Sequence, residues 1–300
     1  MPHHHHSTDR IGWAFFLNAS FTIVEFIGGW LTNSTAIMAD AVHDLGDSLA
    51  IGTAWVLNNL GKKSPDATFT YGYRRLSLFG ALFNSIVLIV GSVWILSTAI
   101  PRLFHPVMPM VEGMLGLAVL GICVNGLAAY RLSGGQTLNE KILNWHLLED
   151  VLGWVAVLIV SIVLYFFDWP ILDPLLSIGF TLYILINVMK NLWKTLKIFA
   201  QSTPNAKLRS EVLEKLNSLQ QIQNTHHLHL WSLDGESHVL TAHLVLAEAI
   251  DVTAQCKLKQ QVADALKDLN LTHTTIELEF PDEACRDECA NDPSTRQPSN

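Results

Sequence analysis

Two short stretches of this sequence combine residue types that bind divalent metal ions. In Ala41-Val42-His43-Asp44-Leu45-Gly46-Asp47, His43 and Asp47 stand four residues apart, and on a helix such a pair shares one face. Asn144-Trp145-His146-Leu147-Leu148-Glu149-Asp150 repeats the spacing with His146 and Asp150. Two helices that each offer one imidazole and one carboxylate make a four-ligand nitrogen and oxygen site, donor chemistry suited to zinc. A lone histidine in an apolar helix reads as a core residue. Its recurrence with a matched aspartate in a second helix favours metal. Asp40 and Asp44 lie in the same turns as His43 and make the surroundings acidic. Glu149 is turned about 100° from Asp150 on a helix and reads as an outward or capping charge.

Both motifs begin long apolar runs. The chain has 300 residues, of which 50% are hydrophobic and only 15% charged, against about a quarter charged in soluble proteins. The deficit falls in roughly the first 200 residues, so the sequence predicts an α-helical membrane domain followed by a soluble tail. Six transmembrane helices are expected, at about 11–31, 35–60, 76–100, 111–130, 142–167 and 172–192. An ionisable group inside a span is costly and marks a functional pathway by default. The first span carries Asn18 and Glu25, and Glu25 is expected to face the bundle interior or water. Pro101 to Pro106 reads as a short connection bounded by prolines, with His105 a plain loop residue. The fourth span is rich in Gly and Ala, which lets helices approach closely.

Arg10, Lys62, Lys63, Arg74, Arg75, Arg131, Lys141, Lys190, Lys194 and Lys197 fall on one side of these spans, and only Arg102 on the other. The bias of basic residues towards the cytoplasm then puts both termini and the tail there. That side is reducing, which agrees with reading Cys123, Cys256, Cys285 and Cys289 as free thiols; Cys256 is expected to be half-buried. No cleavable signal peptide is apparent. The net charge of −8 comes largely from the tail and argues against a nucleic-acid partner.

The tail opens at Ser202-Thr203-Pro204, a helix-start signal. Helices are expected at Ala206–Leu219 and Val252–Leu269. Strands are expected at Thr225–Leu233 and His238–Ala247, around the Asp234-Gly235 turn, and at Thr274–Phe280, where apolar and polar residues alternate. Helix, two strands, helix and strand give a small α/β (ferredoxin-like, αββαβ) domain. The expected organisation is a His-rich cytoplasmic segment at 1–10, a transport domain at 11–200, the α/β domain at 201–282 and a polar tail with a cysteine pair at 283–300. The run His3–His6 reads either as an inert tail or tag remnant, or as a metal-collecting arm.

The paired His-x3-Asp motifs, the six spans and a tail containing His-His-Leu-His-Leu-Trp-Ser-Leu and Thr-Ala-His-Leu-Val together resemble the cation diffusion facilitator family, over about residues 10–280. The His–Asp pair in both spans resembles its zinc-type members. The resemblance implies a homodimer in a bacterial inner (plasma) membrane that exports Zn2+ from the cytoplasm in exchange for protons by alternating access. His43, Asp47, His146 and Asp150 would then form the transport site, among membrane lipid. It also implies a cytoplasmic zinc site from His226, His243 and Glu279, with His273 a looser match. Cys285 and Cys289 resemble a thiol pair that some members combine with an N-terminal His or Cys cluster. Some bacterial members bind metal in the loop between the second and third spans through one Asp and two His. Here Asp66 remains, but Phe69 and Tyr73 stand where imidazoles would be, so that site is expected to be absent.

Other divalent ions (cadmium, cobalt, iron, manganese) remain open, because imidazole–carboxylate sites accept several of them. A non-transporting metal sensor is a different class, separated from a transporter by flux in vesicles. An intramembrane metalloenzyme lacks its His-Glu-x-x-His signature and a spare general base, so no enzyme activity is expected. His43→Asp replaces an imidazole nitrogen with a harder carboxylate oxygen. Transport of manganese or cadmium should therefore rise relative to zinc, and competition flux assays in vesicles read the ranking.

Overall fold

The computed structural model describes residues 5–61, 63–133 and 138–285. It divides into two compact units. The first comprises the residues up to Leu60 together with Phe79–Trp193; the second comprises Gly61–Leu78 and the residues from Lys194 onward.

The apolar runs form six long helices: α1 (His5–Thr32), α2 (Thr35–Gly61), α3 (Leu76–Phe104), α4 (Val111–Leu132), α5 (Leu138–Phe166) and α6 (Leu172–Phe199). All but α2 are long and apolar enough to cross a membrane. At 27 residues α2 is as long as its neighbours, but it carries Asp40, Asp44 and Asp47. The first unit is inside-out relative to a soluble domain. Phe16, Trp30, Phe104, Tyr130 and Phe166 are mostly exposed, whereas Ser85, Ser92, Asn125, Ser161 and Ser177 are buried. An outer surface this apolar needs hydrocarbon around it. This unit is a helical membrane domain.

Small residues set the helix spacing. A Cβ on Gly121 of α4 would lie 2.2 Å from the Trp154 ring of α5, so glycine is what admits that fully buried indole. On the face of α2 turned to α3, Gly46 leaves the same kind of room for Leu88. Buried Phe21, Ile37, Met114, Trp154 and Val157 form one core among the helices, and Ala39, Val42, Leu88, Ile95 and Ile184 another.

The start of α2 is fastened by one carboxylate. Asp173, in the first turn of α6, accepts from Ser34 Oγ (2.6 Å) and Ala36 N (3.2 Å) with Oδ1, and from Thr35 N and Thr35 Oγ1 (both 2.8 Å) with Oδ2. Ser177 Oγ donates to the Thr35 carbonyl, and Ser34 Oγ caps Ile37 N. An acidic group at a helix N-terminus satisfies its free N–H groups and complements its dipole.

The third helix corrects one sequence expectation. Instead of giving way to a connection at Pro101, α3 continues to Phe104 with Pro101 inside it. Proline lacks only its own N–H, and its carbonyl still accepts from His105 N at 3.0 Å. The extension brings Arg102 onto the turn between α1 and α2. Its Nη1 and Nη2 donate to the Asn33 carbonyl and Oδ1 at 2.7 and 2.6 Å. Asn33 there has a φ of +54°, a conformation asparagine tolerates.

The second unit contains α7 (Ala206–Asn217), β1 (Ile222–Ser232), β2 (His238–Leu246), α8 (Val252–Leu266) and β3 (Leu271–Glu279). The expected αββαβ order is present, with both helices ending two to three residues earlier than the apolar pattern extends. The sheet order is β1-β2-β3, with β1 and β2 antiparallel and β2 and β3 parallel. Asn205 caps α7 and Asp251 caps α8 through their side chains. Leu230, Leu240, Ala242 and Leu244 on one sheet face pack on Val212, Leu216, Leu258 and Val262 of the helices. Gly235 supplies the positive φ of the expected Asp234-Gly235 turn. Cys256 is exposed on α8 rather than half-buried, because the apolar face of that helix runs through Leu258, Val262 and Leu266.

Asp173→Ala would leave several buried donors without an acceptor. We expect a loss of about 3 kcal/mol and Asp173→Asn to recover part of it, read as unfolding of the detergent-solubilised chain.

Candidate metal centres

The helix periodicity that pairs His43 with Asp47 and His146 with Asp150 turns both pairs towards each other inside the membrane domain. His146 Nε2 lies 2.9 Å from Asp47 Oδ2 and 4.0 Å from Asp150 Oδ2. His43 Nε2 lies 3.6 Å from Asp47 Oδ2 and 3.9 Å from Asp150 Oδ1. The imidazole rings meet edge to face with centroids 5.6 Å apart. His43, His146 and Asp150 each offer one donor atom within 4.8 Å of the others, and Asp47 touches both imidazoles. Tetrahedral zinc, with ligands at about 2.0–2.1 Å, needs donor atoms about 3.3 Å apart. The measured imidazole–carboxylate separations bracket that edge; the mutually close group is His43, His146 and Asp150, with Asp47 beside both imidazoles.

The surroundings hold more negative charge than the four ligands account for. Glu25, Asp40 and Asp44 are buried, with Glu25 set against Asp44 and the Trp154 indole. Glu25 has Asp40, Asp44, Asp150 and Trp154 as its electrostatic neighbours, the interior position anticipated for it. A cavity of about 210 Å³ adjoins the site, lined by Asp40, His43, Glu149, Asp150, Leu152, Gly153, Phe180, Tyr183 and Ile184. Glu149 is exposed, as expected of an outward charge, but it is in mid-helix and caps nothing. It accepts a hydrogen bond from Tyr183 Oη at 2.7 Å.

A second group forms in the α/β unit. His226 Nε2 lies 2.8 Å from Glu279 Oε2, in contact but not aligned as a hydrogen bond. His243 Nδ1 lies 2.8 Å from Glu279 Oε1 and 3.5 Å from Cys285 Sγ. His226, His243, Glu279 and Cys285 can each bring one donor atom within 4.8 Å of the rest. Register explains the meeting: His226 pairs directly with His243, while Glu279 pairs with Val245 one strand over. A β-bulge between His226 and His229 reshapes the strand at this point, with His227 at a φ of +46°, and bulges re-aim side chains in this way. The His227 ring comes within 5.1 Å of the His243 ring, a neighbour that strand alternation does not reveal. Burial opposes ionisation of Glu279. Contacts from His226, Cys285 and His243 outweigh it and hold the carboxyl below its ordinary value.

His273 is placed apart from that group. It is exposed, pairs with Val239 and meets the Tyr71 ring edge-on at 5.0 Å. Cys289 and His3–His4 lie outside the described residues. Cys123, Cys256 and Cys285 form no disulfide. In the loop after α2, Asp66 accepts from Tyr73 Oη, Phe69 N and Thr68 N. These bonds, with the Tyr73 hydroxyl the foremost donor, keep its carboxyl below the usual carboxylate value.

Two family models and several known proteins resemble this chain. Residues 13–200 match the family model of the cation efflux transmembrane domain, and residues 204–280 that of the cation efflux protein cytoplasmic domain. A "Cadmium, cobalt and zinc/H(+)-K(+) antiporter" of Bacillus subtilis is 32% identical over 89% of this chain and 87% of its own length. A "Zinc transporter ZitB" of Pectobacterium atrosepticum is 31% identical over 93% of this chain and 89% of its own. A "Metal cation efflux system protein CzcD" of Cupriavidus metallidurans is 31% identical over 89% and 85%.

The lowered Glu279 value has a pH consequence. Contacts that favour the carboxylate add stability that is present above about 4.5, the group's ordinary value, and is lost as pH falls through the folded value. With chelator present, the segment 204–300 should exceed its Glu279→Gln variant in stability at neutral pH. The difference should shrink below that pH in urea unfolding curves.

Proposed function

This chain belongs to the cation efflux, or cation diffusion facilitator, family of membrane transporters, and from that premise we propose that it exports Zn2+ from the cytoplasm in exchange for protons. The convergence of His43, Asp47, His146 and Asp150 inside a helical membrane domain carries this reading. Two neutral nitrogens and two carboxylate oxygens match zinc's preferences. The relatives' names include zinc in two cases, with cadmium and cobalt beside it in one. Cadmium and cobalt are accordingly the alternative substrates.

The exchange follows from the ligands. Imidazole binds metal only through an unprotonated nitrogen, so a proton and a zinc ion compete for His43 and His146. A site open to the cytoplasm takes zinc and releases protons. The same site open to a more acidic side takes protons and releases zinc. One site with two access states is a sufficient exchanger. In this reading α2 crosses the membrane with the other five helices, its three aspartates facing inward. The basic residues keep both termini in the cytoplasm of a bacterial cell, and the chain works as a homodimer with zinc also bound at His226, His243, Glu279 and Cys285.

His43→Ala or Asp150→Ala should abolish zinc flux into proteoliposomes while insertion is retained, with lumenal pH followed in the same vesicles. Normal transport by either variant removes the assignment. Zinc should also raise the melting temperature of the segment 204–300 by binding its folded form. His243→Ala should remove most of that rise.

A further inference from the structure

We propose that Glu149, steadied by Tyr183, is the capture ligand for the divalent cation at the cavity that leads to His43 and Asp150. The inference rests on the transport reading above and adds a residue outside the four-ligand set. Glu149 and Asp150 are adjacent in sequence but differ in setting: the Asp150 side chain is 2% exposed, whereas Glu149 is exposed. Both nevertheless line one cavity of about 210 Å³ with His43. That cavity therefore carries a carboxylate at its exposed side and the ion-binding donors at its buried side.

The position of Glu149 excludes simpler roles. It lies about 16 Å along α5 from Leu138, so no free helix end is near for it to cap. An exposed carboxylate inside a candidate membrane span, here Asn144–Phe166, requires water or a cation beside it. Among the described residues, the Tyr183 hydroxyl donates to Glu149 Oε1 at 2.7 Å. This fixes the carboxylate on the α6 side of the cavity without neutralising it, and leaves Oε2 as an acceptor for an incoming ion. Among the described residues that line the cavity there is no lysine or arginine.

The chemistry required is stepwise removal of water from a hydrated dication. An exposed carboxylate oxygen can replace one or two waters before the ion reaches the drier imidazoles. Because it is a single, partly hydrated oxygen ligand, it releases the ion to the denser donor set of His43 and Asp150. Its negative charge at the entrance also raises the local cation concentration.

The test is zinc flux at fixed pH in proteoliposomes of the full chain, over a range of zinc concentrations. Glu149→Gln should raise the half-saturating zinc concentration about tenfold and leave the maximal rate within about twofold. Glu149→Asp should recover part of the shift, because the charge is kept. Tyr183→Phe should shift half-saturation in the same direction but less, because the carboxylate remains and loses only its anchor. An unchanged half-saturation in Glu149→Gln overturns the proposal. So does a fall in maximal rate at unchanged half-saturation, the mark of a structural brace. His43→Ala in the same vesicles separates the two readings. If it is inactive while Glu149→Gln behaves as wild type, only the capture role fails. If it transports normally, the transport-site reading fails.

Discussion

A carboxylate removed from water costs several kcal/mol unless a donor or a cation takes the solvent's place. Glu25, Asp40, Asp44, Asp47 and Asp150 crowd one region of the membrane domain, and Glu25 has another acid, Asp44, and the Trp154 indole beside it. Among the described residues, His43 and His146 stand beside Asp47 and Asp150 as possible internal counter-charges. The rest of the membrane domain answers to this excess of acceptors. The close helix contacts at Gly121 and Gly46, and the cavity beside Asp150, surround this cluster of acids.

The soluble unit solves a similar problem by different means. Its two imidazoles, carboxylate and thiol come from three strands and the segment after the last. They are held by sheet register rather than by helix periodicity. There the carboxylate is satisfied: both Glu279 oxygens contact an imidazole. One site is thus electrically unfinished and the other nearly balanced by its own residues.

Much of this was legible in the sequence. The i, i+4 pairing of His43 with Asp47 and His146 with Asp150 needs only the helical repeat. The order of elements in the tail follows from alternating apolar residues and the Asp-Gly turn. What was not legible depends on through-space contacts. Pro101 reads locally as a breaker, and only the fit of Arg102 against Asn33 accounts for the longer helix. The bulge that brings His227 towards His243 breaks the period-two pattern on which strand reading relies. Glu149 reads as an outward charge until Tyr183, 34 residues away, is seen to hold it.

The Asp173 clasp has a mechanical corollary. It pins α2 at its first turn, so the helix behaves as a lever with its fulcrum at Thr35. His43 is about 12 Å along that lever and Asp47 about 18 Å. Any tilt about the fulcrum sweeps Asp47 through half as much distance again as His43. A tilt away from α5 therefore displaces Asp47, which contacts His146 at 2.9 Å, further than it displaces His43.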